Sequence, residues 1–122
     1  MDDVLVVDGA NVVGSVPDGW WRDRFGAAVR LRDSLVAYGQ RHGVEVVLVV
    51  EGAARGVESV VGVRVESAAG SGDDHIVELV GRLGRPCTVV TADRELRARV
   101  EALGARTVGP RAVRSSEPPP VG

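Results

Sequence analysis

Apolar positions fall into two kinds of run along this chain. Val4–Val7, Val46–Val50 and Val89–Val90 with their flanks are continuous and rich in valine. Strands buried on both faces carry this pattern, and such strands require a sheet covered by helices. Between the first two runs, Ala28, Leu31, Leu35 and Tyr38 recur at helical spacing and end near Gly39–Gly43. Ile76, Leu79, Val80 and Leu83 form a second helical stripe and Leu96, Val100 and Leu103 a third, closed by Gly84 and Gly104. Val60–Val65 alternates through Gly62 and Arg64, which predicts a further strand nearer an edge, and a last short strand is expected over 106–108. The order strand, helix, strand, Gly-rich link, strand, helix, strand, helix, strand predicts a three-layer α/β/α Rossmann-like domain with a mainly parallel sheet.

The length of 122 residues suits one domain with an ordinary core. We expect that domain over 1–114, with 115–122, SSEPPPVG, as a disordered Pro-rich tail. Hydrophobic content of 44% and charged content of 26% are ordinary for a globular protein, and no apolar run approaches the roughly 20 residues of a spanning helix. The acidic opening MDDVLVV enters a strand directly and lacks the basic start of a secretory signal, so the expectation is cytoplasmic, with no membrane partner. The lone Cys87, in PCTVVT, reads as a buried small residue.

A net charge of −2 gives no global attraction for nucleic acid, so binding there would rest on local clusters of arginine. Every basic side chain is arginine. The absence of lysine excludes a P-loop lysine, a Schiff base and the lysine partner of a phospho-aspartate site. A haloacid-dehalogenase phosphatase needs Asp-x-Asp at the first strand, where Ala10 stands two after Asp8. A Toprim centre starting from Glu51 lacks the later Asp-x-Asp.

The candidate chemistry lies in carboxylates at strand ends and helix starts. Asp8 ends the first strand in VLVVDGAN, Asp73 and Asp74 open a helix in GSGDDHIVEL, and Asp93 follows the fourth strand in TVVTADREL. In a parallel sheet these ends share one edge, and converging aspartates suit Mg²⁺ or Mn²⁺. Each also has a plain structural account. Asp8 and Asn11 could bond a turn, Ser71 with Asp74 fits a capping box, and Asp93 suits an N-cap. His42, His75 and Cys87 have no zinc-ligand spacing, and His75 is expected as an exposed first-turn residue. Arg22, Arg24, Arg55, Arg94 and Arg111 are expected along the same edge, as a rim for phosphate. Trp20 and Trp21 have two uses, stacking on an unpaired base or packing their segment onto the domain, and the second is favoured.

Taken together, VVDGANVVG, GWWRDR, VVEGAARG, GSGDDHIVEL and VTADRELRARV resemble the NYN domains of the PIN-like nuclease superfamily, in particular the bacterial YacP-like branch, up to about Pro110. The resemblance implies a PIN-like fold and a metal-dependent ribonuclease that cleaves RNA within single strands, in association with the ribosome or otherwise. It implies that Asp8, Asp74 and Asp93 hold Mg²⁺ or Mn²⁺, with Asp73 at a second ion or positioning water, and that Glu51 is a further acidic candidate. Asn11, Arg55 and Arg94 would then contact the RNA backbone. The first long helix carries Asp23 and Asp33 but no glutamate, which keeps open a non-catalytic RNA-binding module on the same fold.

Overall fold

The computed structural model describes residues 3–84 and 86–114; the tail expected over 115–122 lies outside the described residues. Five parallel strands form one sheet: β1 (Val4–Asp8), β2 (Glu45–Val50), β3 (Val63–Ser67), β4 (Cys87–Val90) and β5 (Arg106–Val108), in the order β3-β2-β1-β4-β5. The helices are α1 (Gly9–Gly14), α2 (Arg24–His42), α3 (Gly72–Leu83) and α4 (Arg94–Glu101). Because the chain builds outward from β1 to β3 and then returns to β4 on the other side of β1, the sheet has a topological switch point between β1 and β4. Open α/β sheets place ligands in the crevice beyond the carboxyl ends at such a point.

Side chains alternate across the strands and divide the core in two. Leu5, Val7, Val46, Leu48 and Val50 pack with Ala28, Leu31 and Leu35 of α2 and Val12 and Val13 of α1. Val4, Val6, Val47, Val49 and Val89 pack on the opposite face with Ile76, Leu79 and Val80 of α3 and Leu96 and Val100 of α4. This is the three-layer architecture expected from the continuous apolar runs. Cys87 is buried as expected, and burial pushes its thiol pKa up. Gly43 and Gly84 end α2 and α3 with φ of 64° and 59°, the left-handed conformation that favours glycine.

Four expectations are corrected. The segment after β1 is helical, as α1, rather than a simple turn. The strand expected over 60–65 begins at Val63; Gly62 turns at φ 98°, Val60 makes an isolated antiparallel bridge to Val63, and Val61 points outward. Leu103 lies beyond α4 and is exposed, because the helix ends at Glu101 before that apolar position turns inward. His75 is half-buried, with Nε2 2.7 Å from Glu66 Oε1 of β3, so it is held by an acid on the sheet rather than left in solvent. Among the described residues, no helix is long and apolar enough to cross a membrane.

Candidate acidic site at the sheet switch point

Asp8 is the last residue of β1 and only 4% exposed. Its register partner on β2 is Val49, and a Cβ on the next residue, Gly9, would stand 2.6 Å from the Val49 carbonyl oxygen. Glycine is therefore required by the closeness of two backbones, and it lets α1 start directly beneath the carboxylate. One Asp8 oxygen, Oδ2, accepts from the Thr91 hydroxyl at 2.8 Å, across the switch point. The other, Oδ1, accepts from the Asn11 backbone N–H at 3.4 Å. The Asn11 side chain turns elsewhere, with Oδ1 accepting from Ala92 N–H at 2.9 Å, which ties α1 to the loop after β4.

Burial pushes the Asp8 pKa from 3.8 up to about 6; the Thr91 and Asn11 hydrogen bonds oppose the rise, and the charges of Asp73 and Glu51 add to it. Asp73, on the first turn of α3, is also raised, first by burial, then by Asp93 and Glu51, against the lowering influence of Arg99. Asp8, Glu51, Asp73 and Asp93 thus act on one another as a group of like charges drawn from β1, the end of β2, α3 and the start of α4.

Glu51 and Asp93 also hold backbone. Glu51 Oε2 accepts from Gly72 N–H at 2.9 Å, an orphan donor at the start of α3, and a Cβ at Gly72 would lie 3.0 Å from Glu51 Oε1. Asp93 caps α4, with Oδ1 accepting from Glu95 N–H at 2.9 Å and Leu96 N–H at 3.1 Å. Thr91 Oγ1 in turn accepts from Asp93 N–H at 3.1 Å. Ser71 caps α3 through Asp74 N–H at 3.2 Å, while the Asp74 carboxylate is 75% exposed and 3.0 Å from Arg99. Asp74 therefore faces a guanidinium on α4, and it is Asp73 whose charge couples to Asp8.

Arg55 and Arg94 are both exposed, beyond β2 and at the start of α4. Arg22 and Arg24 lie over the rings of Trp21 and Trp20, at 5.9 and 5.6 Å from the centroids, and Arg111 sits in the turn after β5. Sequence reasoning passed over Arg99, which faces Asp74, and Arg97, whose Nε donates to the Thr91 carbonyl at 2.8 Å. It also gave Thr91 no role of its own.

Among the described residues, no group of three or more His, Cys, Asp and Glu stands ready to hold a metal ion. The donor chemistry nonetheless suits a hard cation that keeps much of its water and takes one or two carboxylates. A buried carboxylate with a raised pKa beside other acids is stabilised by a nearby positive charge.

The structure has the fold of Rae1 (YacP) from Bacillus subtilis. It matches the crystal structure of that protein with a TM-score of 0.77 at 23% identity, over 89% of this chain and 70% of that one. The W164L mutant of the same protein matches with a TM-score of 0.76 at 22% identity, over 91% and 72%. No protein-family model and no curated protein matches the sequence. The likeness establishes a shared fold and agrees with the YacP-like resemblance of the motifs.

Proposed function

We propose that this protein is a Mg²⁺- or Mn²⁺-dependent ribonuclease that hydrolyses phosphodiester bonds within single-stranded RNA. The observation that carries the reading is the electrostatic crowding of Asp8, Asp73, Asp93 and Glu51 beside the switch point, with Asp8 raised to about 6. Bound there, a divalent cation supplies Lewis acidity and lowers the pKa of water for attack on phosphorus. Asp8 and Asp73 would hold it, with Asp93 completing the set; Asp74, paired with Arg99, would serve α3 and α4 instead. Thr91 keeps the Asp8 carboxylate oriented and favours its ionised form. Glu51 adds negative charge while anchoring the start of α3, and Arg55 and Arg94 are free to meet the RNA backbone from the exposed edge.

Cleavage of end-labelled single-stranded RNA across a Mn²⁺ titration tests this reading. Asp73→Asn should abolish turnover and Asp74→Asn should leave most of it. Equal activity of Asp73→Asn and wild type would remove the proposed centre. A second reading, a non-catalytic RNA-binding or ribosome-associated module, draws support from the lack of a ready three-ligand group among the described residues. It requires RNA affinity with no cleavage at saturating metal.

A further inference from the structure

Beside the acidic group, on the α1/α2 face, lies a cleft of about 280 Å³. Val13, Ala28 and Val50 form its apolar floor, Trp20 and Arg24 one side, and Glu51 its border with the acids. Its volume, just under the roughly 300 Å³ where small-molecule pockets begin, suits one planar ring system. Three of the four aromatic residues of the chain lie in the segment that supplies Trp20 and Arg24, interleaved with arginine: Trp20, Trp21, Arg22, Arg24, Phe25. Trp20 packs against the core, but Trp21 is 51% and Phe25 44% exposed. Trp20 is only partly buried and lines the cleft, while Trp21 and Phe25 face solvent beside it in sequence. Trp20 and Trp21 meet edge to face at 5.9 Å, and each carries a guanidinium over its ring. Indole and guanidinium planes both stack on unpaired bases, and the guanidinium also attracts the attached phosphate.

We propose that this cleft receives one unpaired nucleobase of a single-stranded RNA, stacked against Trp20 and Arg24, and so sets which phosphodiester lies beside the acidic group. The inference rests on the RNA reading above. An apolar floor, a cationic aromatic wall and a shared border with acids fit a base on one side and its metal-neutralised phosphate on the other.

Two indoles exist in the chain, so Trp21→Phe leaves Trp20 as the sole reporter. Labelled oligoadenylate in Ca²⁺, a hard cation that takes the same oxygen ligands, should bind this variant by anisotropy and quench its emission. Ala10→Leu, which fills the cleft from the exposed side of α1, should weaken Kd by roughly 5- to 150-fold and remove the quench. Arg24→Gln should also weaken binding, and it tests the cleft without touching α1. Binding without quench, or wild-type Kd in both Ala10→Leu and Arg24→Gln, overturns the cleft. With wild-type cleavage in Mn²⁺ measured alongside, that result would leave the nuclease reading standing. Quench without any cleavage would do the reverse, supporting the cleft and removing the nuclease. Absence of binding would overturn the cleft outright.

Discussion

Asp8→Asn should make the protein more stable at neutral pH while removing the proposed RNA cleavage. A carboxyl group with a pKa of 3.8 when unfolded and about 6 when folded binds its proton more tightly in the native state. Stability from this group is therefore greatest below pH 4, falls as pH rises from about 4 to about 6, and is level above that. The rise, at about 1.36 kcal/mol per pH unit, comes to about 3 kcal/mol. At 4% exposure solvent screening takes little from that figure. Asparagine carries no charge to desolvate. Its carbonyl can keep the Asn11 N–H, and its amide can donate to the Thr91 oxygen. Replacing hydrogen bonds to a charged group by neutral ones forfeits about 1 kcal/mol. The net expectation is a variant about 1–3 kcal/mol more stable than wild type at pH 7.5 and nearly equal to it at pH 4.

Urea unfolding of both proteins in EDTA, from pH 4 to pH 8, measures that difference directly. Added Mn²⁺ should then stabilise wild type more than the variant, because a ligand held by the native state alone raises stability by mass action. A stability difference that stays constant from pH 4 to 7, or a variant less stable than wild type at pH 7.5, would refute the argument that burial governs Asp8.

Three further substitutions probe the supports of the site. Thr91→Val removes the hydroxyl that donates to Asp8 and accepts from Asp93 N–H; it should cost about 1–3 kcal/mol and push the Asp8 pKa above 6, moving the upper end of the pH-dependent window upward in the same urea series. Gly9→Ala should lower stability by about 1–3 kcal/mol in a thermal melt, since its Cβ meets the Val49 carbonyl and only a backbone shift relieves the contact. Glu51→Ala should cost about 1.5 kcal/mol by freeing Gly72 N–H, and Glu51→Gln much less; both should lower the Asp8 pKa by removing a like charge, which NMR titration of the carboxyl carbon would follow.

The layers and the strand order of burial were legible because buried parallel strands leave long apolar runs that no turn or amphipathic helix imitates. Helix α1 was not. Its six residues, GANVVG, combine two glycines with two β-branched valines, all weak helix formers, and its stability comes from outside the segment. Val12 and Val13 are buried against the sheet, and the Arg114 guanidinium donates to their carbonyls at 3.2 and 3.4 Å from a hundred residues downstream. A contact of that separation has no local signature. The start of β3 was misplaced for a related reason: alternation from Val60 onward imitates a strand, and only Gly62 hints that the chain turns there first.

The membership of the acidic group could have been read more closely from side-chain parity. Val4 and Val6 face the α3/α4 layer, so Asp8 does too; Val47 and Val49 carry the same parity to Glu51, and Val89 carries it to Thr91. On α3, Asp73 stands three residues before Ile76 and seven before Val80, along the buried stripe, whereas Asp74 falls one position round the helix toward solvent and Arg99. The same periodicities that build the core therefore carry Asp8, Glu51, Thr91 and Asp73 to one side of one edge. The first three stand one step beyond strand positions whose apolar side chains fill the core. At that step Asp8 is still buried while Glu51 is only partly so, and the Asp8 carboxyl, at the margin of the core, is desolvated enough to sit near 6.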